Sequence, residues 1–203
     1  LGTETHFLVR SRFLRTEDSE IAKEFTRAFS QLHHTYLGAV PKKVEYGHGE
    51  FRVMYQSQDG SIKQITADAL LVATGIVSNA DTLALENTDI EITDRNFIKV
   101  DEYLQTTVKG VYALGDCIGR YFFRHSVNFE GEYLFKALFM DKGRKPIHYP
   151  PIPHAIFTHP QVAGVGKTED QLQQEGIDNV VGVKPYTKSG MGMALLSEQG
   201  FCK

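Results

Sequence analysis

An aspartate directly follows an apolar run near the middle of the chain, where its carboxylate could serve a bound ligand. Residues 111–114 have the pattern of a buried strand, and Gly115-Asp116 ends it. A carboxylate placed there costs free energy unless it meets a partner beyond the strand. Because Gly115 frees the backbone, Asp116 is predicted to accept a hydrogen bond from a hydroxyl-bearing ligand.

A second apolar run, "ALLVATG" at residues 69–75, also ends at a glycine and is typical of a fully buried strand. Open α/β sheets bind ligands beyond the carboxyl ends of their strands, and a glycine lets a ligand approach the backbone closely. Gly75 is therefore a candidate contact. A glycine also ends many ordinary strands, so the run alone leaves both interpretations open.

Three arginines follow the first predicted strand: Arg10, Arg12 and Arg15. In a dinucleotide-binding fold, an acidic residue at this place binds the adenosine ribose, whereas an arginine suits a 2′-phosphate. Taken alone, the cluster is better explained as a solvated charged run before a helix.

The segment "QVAGVGKT" at residues 161–168 is similar to a phosphate-binding loop but has Gln161 where the first glycine is required. That glycine lets the loop turn so that its N–H groups converge on phosphate. A nucleotide-hydrolysing site would thus need the change Gln161→Gly. Thr168 and Gln171 instead predict a capping box at the start of a helix.

The histidines and cysteines indicate no metal site. The His33-His34 pair is typical of a helix end, and Cys117 and Cys202, the only cysteines, lie too far apart for a CxxC motif. This cysteine usage suits a reducing cytoplasm. Three further histidines lack the cysteine or carboxylate spacing of a zinc site: His148, His154 and His159.

The composition limits the class of protein. With 203 residues and 41% hydrophobic content the chain can bury a core, and its net charge of −3 with scattered basic residues argues against nucleic-acid binding. No apolar run reaches the length of a membrane span, and no signal-peptide pattern opens the chain. Because the chain begins at Leu1 without a methionine and ends on the pattern of a strand, we expect a fragment of a longer protein.

The order of the predicted strands and helices indicates an α/β fold whose C-terminal part is α+β. A strand at 5–10 precedes a helix within 16–32, which Thr16 or Asp18 can cap. Residues 42–75 predict three strands, of which the second and third form a hairpin around the turn "SQDGS".

The second half predicts two short strands within 97–116 and a helix within 123–140. A proline-rich segment at 142–153 is the best domain boundary, and strands flank a helix at 168–176 beyond it. The helix within 123–140 is expected to point four apolar side chains inward: Val127, Leu134, Leu138 and Phe139.

Four segments, in this order, resemble the pyridine nucleotide-disulfide oxidoreductases, the family of dihydrolipoamide dehydrogenase and of the glutathione, mycothione and mercuric reductases. Residues 5–21 are similar to the second strand and helix of the NAD(P) domain, and residues 69–79 to the strand that closes it. Residues 97–119 resemble the C-terminal FAD motif, and residues 152–176 the start of the dimerisation domain. The resemblance implies a partial Rossmann-like NAD(P)-binding domain, the C-terminal part of an FAD-binding domain and the N-terminal part of a dimerisation domain, at residues 1–80, 81–150 and 151–203.

The resemblance gives Asp116 a partner, because it implies that this carboxylate accepts a hydrogen bond from a hydroxyl of the FAD ribityl chain. Gly75 matches a backbone contact to the nicotinamide dinucleotide, and Ile76 stands where many members have arginine. Arg10 stands where NAD-using members usually carry glutamate, and Arg15 matches a second 2′-phosphate contact, which favours NADPH over NADH. The remaining implied cofactor contacts surround Asp116: Gly115, Cys117, Phe122, Phe123, Arg124 and His125.

The function implied by the resemblance is electron transfer between NAD(P)H, FAD and a dithiol or disulfide, in a homodimer. The substrate would be a small-molecule or protein disulfide. Four parts of the family's machinery have no counterpart in these residues: the first glycine-rich FAD loop, the CxxxxC redox disulfide, the glycine loop for NAD(P) and the His-Glu pair. We therefore expect no catalytic residue here and an isolated chain that is inactive and binds FAD weakly. A non-catalytic dimerisation or interaction module of a flavoprotein-like fold is the alternative.

Overall fold

The computed structural model describes residues 2–140, 143 and 145–203. They form two compact units, one with the chain up to Val72 together with Pro153–Lys203, the other with Ala73–Ile152. The proline-rich segment that the sequence predicts as a boundary begins at Lys142, which with Arg144 lies outside the described residues. The division into three partial domains stays a prediction.

Helices and strands both contribute to the described chain, which confirms the predicted α/β class. The strands are β1 (His6–Val9), β2 (His34–Leu37), β3 (Val40–Gly47), β4 (Glu50–Gln56), β5 (Ile62–Ala67), β6 (His154–Ile156), β7 (Val162–Gly164), β8 (Lys184–Pro185) and β9 (Phe201–Cys202). The α-helices are α1 (Ser19–Leu32), α2 (Arg124–Phe135), α3 (Glu169–Gln174) and α4 (Gly190–Ala194).

The first unit opens with a βαβ element, in which β1 and β2 pair in parallel and α1 connects them. Asp18 caps α1, since its Oδ1 accepts hydrogen bonds from the N–H groups of Glu20 and Ile21 at 3.0 and 3.4 Å. Of the two predicted capping residues, the structure therefore selects Asp18. The apolar face of α1 buries Phe25 and Phe29 against a residue of β7.

Strands β3, β4 and β5 form an antiparallel sheet in that order, and the predicted hairpin at 57–61 joins β4 to β5. The predicted buried strand at 69–75 is wrong, because this segment is not a strand and the side chain of Leu71 is 88% exposed. No strand in the described part of the chain pairs with it. A strand buried on both faces needs such partners for its backbone N–H and C=O groups.

The core of the second unit gathers side chains from its loops and from α2. The two strands predicted within 97–116 are reduced to isolated bridges, Gln105 with Tyr112 and Ile92 with Ile98. The backbone groups instead bond across tight turns, as when the N–H of Thr106 donates to the carbonyl of Val111 at 2.8 Å. The buried core residues are Ala80, Ile98, Leu104, Ala113, Ile118 and Leu134.

Helix α2 only partly matches its predicted inner face. Leu134 is buried and Val127 half-buried, but Leu138 and Phe139 are 40% and 76% exposed, which corrects the prediction for these two. From Lys136 to Met140 the chain forms a π-helical turn. Its wider i→i+5 hydrogen bonding changes the angular spacing of the side chains, so the 3.6-residue pattern no longer applies there.

The C-terminal segment of the first unit adds two small antiparallel pairs, β6 with β7 and β8 with β9. Thr168 and Gln171 form the predicted capping box at α3, with each side chain accepting from the other's backbone N–H. This confirms the helix cap in the segment that is similar to a phosphate loop. None of the helices within the described residues could traverse a lipid bilayer.

Candidate functional site

Asp116 lies in a 3₁₀ turn, Gly115–Ile118, and not at the end of a regular strand. The preceding residues 111–114 are extended but joined to the neighbouring segment by a single bridge. The Asp116 carboxylate is exposed and makes no hydrogen bond or ion pair with any residue that the structure describes. It is therefore free to accept a hydrogen bond from a ligand.

Two glycines allow this turn to form. Gly115 has φ +77°, and a Cβ placed on it would lie 3.1 Å from Cγ2 of Val127. Gly119 has φ +71°, and a Cβ there would lie 2.6 Å from the ring of Phe97. Positive φ is unfavourable for residues with a side chain, so both positions require glycine on conformational and steric grounds.

A buried carboxylate holds the turn against α2. Glu130 is 1% exposed, and its Oε2 accepts a hydrogen bond from the N–H of Gly115 at 2.6 Å. Its Oε1 accepts from the hydroxyl of Tyr149 at 2.7 Å. Burial, together with the hydrogen bond to Glu130, raises the pKa of Tyr149 to about 12, so this hydroxyl remains a donor at neutral pH. Glu130 therefore fixes the position of the backbone that carries Asp116.

This role of Glu130 was not predicted from the sequence. The signal was an acidic residue followed by Gly131 within a helix predicted to be largely buried on one face. A buried acid on such a face needs partners, but neither Gly115 nor Tyr149 could be assigned to it without the fold.

A cleft of about 270 Å³ adjoins Asp116. Its walls include the rings of Phe97 and Phe122, the side chain of Cys117 and residues 76–79. The two rings lie 5.8 Å apart between their centroids. Mostly apolar walls with one unpaired carboxylate suit a ligand that combines an apolar part with a hydroxyl group.

Cys117 lies in this cleft as a protonated thiol. Burial raises the pKa of Cys117, and its Sγ donates to the carbonyl oxygen of Leu114 at 3.1 Å. Since the thiolate is the nucleophilic form, Cys117 is a poor nucleophile at neutral pH. Both Cys117 and Cys202 are free of disulfide bonds.

The other candidates beyond Asp116 lie at the start of α2. Phe123 precedes the helix, and its carbonyl accepts from the hydroxyl of the buried Ser126 at 2.6 Å. The rings of Phe123 and His125 stack with centroids 5.3 Å apart. Arg124 and His125 are exposed, and among these three residues none belongs to the wall of the cleft.

The remaining candidates are not among the residues of this cleft wall. Gly75 is exposed with φ +132° and precedes the first wall residue, Ile76. Arg10 and Arg15 are exposed in the first unit, directly after β1 and before α1. Arg12 donates to the carbonyl of Arg15 at 3.0 Å, which orders the loop between them.

The βαβ element and the glycine-bounded acidic turn are features of nucleotide-binding flavoprotein folds, and comparison with known proteins agrees. The family model described as pyridine nucleotide-disulphide oxidoreductase matches residues 1–132, and the model of that family's dimerisation domain matches residues 152–203. The chain belongs to the pyridine nucleotide-disulphide oxidoreductase family.

Individual relatives agree with this assignment. The chain is 32% identical over 193 residues to a dihydrolipoyl dehydrogenase of Cupriavidus necator, which covers 94% of this chain and 40% of the relative. It is 35% identical over 210 residues to a mycothione reductase of Mycobacterium tuberculosis, covering 100% of this chain and 44% of the relative.

A solved structure shows the same fold. The HOCl-induced flavoprotein disulfide reductase RclA from Escherichia coli matches with a TM-score of 0.85 and 25% identity, over 98% of this chain and 45% of RclA. The chain thus spans less than half the length of each of these proteins.

Proposed function

We propose that this chain forms part of an FAD-dependent disulfide oxidoreductase of the dihydrolipoamide dehydrogenase type, and that Asp116 binds the FAD ribityl chain. The observation that carries the proposal is the unpaired Asp116 carboxylate, exposed in a cleft with apolar and aromatic walls. FAD, when bound, would supply the redox chemistry between a nicotinamide and a disulfide. Asp116 would accept a hydrogen bond from a ribityl hydroxyl, while the hydrogen bond from the Gly115 N–H to Glu130 holds the turn in place.

The backbone and side chains beyond Asp116 extend this proposed contact surface. Phe122 and Cys117 would contact the flavin moiety from the cleft. Phe123, Arg124 and His125 would line the path of the cofactor past the start of α2, and Gly75 would offer its backbone to the nicotinamide dinucleotide. Support for these assignments comes from the matching positions in the family motif.

For the nicotinamide coenzyme we propose NADPH over NADH. Arg10 and Arg15 are exposed and follow β1, which resembles the second strand of the family's NAD(P) domain. The ribose 2′ position of a dinucleotide is recognised beyond that strand. An arginine offers two or more N–H groups to a phosphate, and glutamate at the same place would repel it. The proposed substrate is a small-molecule or protein disulfide, the proposed assembly a homodimer, and the proposed location the cytoplasm.

Equilibrium dialysis of FAD against the 203-residue chain tests the proposal. We expect weak but measurable binding, and no NADPH-dependent disulfide reduction, because the two cysteines present do not form a CxxxxC pair. The change Asp116→Ala should weaken FAD binding about tenfold to a hundredfold, since hydrogen bonds to charged groups contribute about 1.5–3 kcal/mol.

The matched control is Asp89→Ala, which removes another exposed carboxylate from the same unit and should leave FAD binding unchanged. Equal FAD binding by the Asp116→Ala chain and the unchanged chain would overturn the proposed role of Asp116. Disulfide reduction by the unchanged chain would contradict the expectation that it is inactive alone.

The coenzyme preference has its own test with 2′-phospho-AMP and AMP as probes. We expect the chain to prefer 2′-phospho-AMP, and Arg10→Ala to remove most of that preference. The control is Arg52→Ala, which removes a similarly exposed arginine from β4 and should leave the preference unchanged. An unchanged preference in Arg10→Ala would refute the assignment.

The alternative is a non-catalytic dimerisation module. The match of residues 152–203 to the family's dimerisation domain is the observation behind this alternative. Sedimentation with and without FAD separates the two proposals. A stable dimer that binds no FAD would favour the interaction module, whereas FAD binding that depends on Asp116 favours the oxidoreductase.

A further inference from the structure

Two histidines and a glutamate meet on the βαβ element of the first unit. The parallel register of β1 and β2 places His6 opposite His34, so their side chains extend from neighbouring backbone positions. Glu4 lies two residues before His6, and its carboxylate reaches both rings. Of the side chains that the structure describes, these form the one group of three or more potential metal ligands.

The spacing of the three ligand atoms suits a transition-metal ion. Oε1 of Glu4 lies 3.1 Å from Nε2 of His34 and 3.5 Å from Nε2 of His6, and all three ligand atoms lie within 4.8 Å of one another. Atoms held tetrahedrally at about 2.0–2.1 Å from Zn²⁺ lie about 3.3 Å apart. We propose that Glu4, His6 and His34 bind a divalent transition-metal ion such as Zn²⁺.

Neighbouring side chains contact the His6 ring. Its Nδ1 lies 3.0 Å from the hydroxyl of Tyr36, which leaves Nε2 directed towards Glu4. The rings of His6 and His34 stack with centroids 4.7 Å apart and an interplanar angle of 14°. The rings of His6 and Tyr36 also stack, with centroids 5.9 Å apart. A hydrogen bond at the second ring nitrogen is the usual support of a metal-binding histidine.

The types of the three ligand atoms also indicate which kind of ion would bind. Two imidazole nitrogens and one carboxylate suit Zn²⁺ and similar borderline ions, whereas Mg²⁺ prefers oxygen ligands and retains its water. The side chains of Glu4, His34 and His6 are 73%, 57% and 27% exposed, so water can complete the coordination shell. This site lies in the first unit, whereas the proposed FAD contact at Asp116 lies in the second.

A plain ion pair between Glu4 and protonated histidines would give the same distances, so the test must measure the metal. Calorimetric titration of Zn²⁺ into the 203-residue chain, in a Cys202→Ser background that removes the exposed thiol, should show one saturable site. Mg²⁺ under the same conditions should show none.

Variants of the ligands separate coordination from ring stacking. His34→Phe keeps an aromatic ring against His6 but removes the nitrogen, and we expect Zn²⁺ affinity to fall at least tenfold. Glu4→Gln should also lower the affinity, and its exposed position leaves folding unaffected. The control is His48→Asn, which removes an exposed histidine at φ +56°, a conformation that asparagine tolerates.

The expected result is a loss of Zn²⁺ binding in His34→Phe and Glu4→Gln with unchanged binding in His48→Asn, all with the circular dichroism of the parent chain. Absence of Zn²⁺ binding to the parent chain would overturn the proposal. Equal affinity in the parent, His34→Phe and Glu4→Gln chains would do so too, because the metal would then be bound elsewhere.

Discussion

Residues 70–72 and residues 112–114 are both apolar runs that lead to a glycine, yet their side chains lie in opposite environments. In the first run, Leu71 and Val72 are 88% and 71% exposed. In the second run, Ala113 is 8% exposed and its neighbours on both sides are half-buried. Neither run belongs to a regular strand.

The difference shows that burial here depends on partners and not on apolar character. The second run packs against side chains of the same unit, such as Leu104, Ile118 and Leu134. The first run pairs with no strand in the described part of the chain.

The largest expected effect comes from the core that buries the second run. Leu134→Ala should lower the free energy of unfolding by about 2–5 kcal/mol, because it removes a buried side chain and leaves a cavity. Urea denaturation followed by circular dichroism measures the change. The control Leu138→Ala, four residues on and 40% exposed, should cost much less. Equal losses in the two variants would mean that this core does not form.

The second prediction concerns the carboxylate that fixes the Asp116 turn. Glu130→Gln keeps the side-chain volume, but an amide cannot accept hydrogen bonds from Gly115 and Tyr149 through both of its ends. The amide can still accept from Gly115 and donate to the hydroxyl oxygen of Tyr149, but both hydrogen bonds lose their charge assistance, so the free energy of unfolding should fall by about 1–3 kcal/mol.

The same variant should also weaken FAD binding in dialysis, because the turn that carries Asp116 loses its support. The matched control is Glu132→Gln, in the same helix with a side chain that is 73% exposed. Wild-type stability of Glu130→Gln would show that the buried hydrogen bonds do not hold this turn.

Local features of the chain were predictable from sequence. Asp18 and Thr168 cap helices because their oxygens meet N–H groups two or three residues away, and the turn at 57–61 joins adjacent strands. Such contacts depend on neighbouring residues alone, so composition and spacing indicate them. The position of Asp116 in a glycine-bounded turn was likewise visible as a pattern, although the regular strand before it was not formed.

Contacts between distant residues were not predictable. Glu130 meets Gly115 and Tyr149, which lie 15 and 19 residues away in sequence, and His6 meets His34 only because β1 and β2 pair in parallel. The strand predicted at 69–75 was wrong for a related reason. Its apolar pattern indicates a buried strand but does not reveal whether neighbouring strands exist to pair with it. Apolar patterns thus predict which segments can be buried, while tertiary pairing decides which are.

The third prediction tests the glycine that follows the buried run. Gly115→Ala introduces a Cβ at φ +77°, 3.1 Å from Cγ2 of Val127. The control Gly110→Ala introduces a Cβ at φ +82°, where no other atom lies within 4 Å. The shared conformational strain should cost each variant about 1 kcal/mol. The crowding should cost Gly115→Ala about 1 kcal/mol more.

Urea denaturation of the two glycine variants gives the difference directly. In a Val127→Ala background the Cγ2 contact is absent, so Gly115→Ala should lower the free energy of unfolding by less than it does in the parent chain. Equal losses for Gly115→Ala and Gly110→Ala would show that Val127 does not pack against the turn.

The smallest expected effect belongs to the exposed run. Leu71→Ser should change the free energy of unfolding of the 203-residue chain by less than about 0.5 kcal/mol, because the side chain buries little surface. It should also reduce self-association measured by light scattering, since exposed apolar side chains promote it. A large loss of stability in the 203-residue chain would instead mean that Leu71 already has a buried environment, and the contrast between the two apolar runs would disappear.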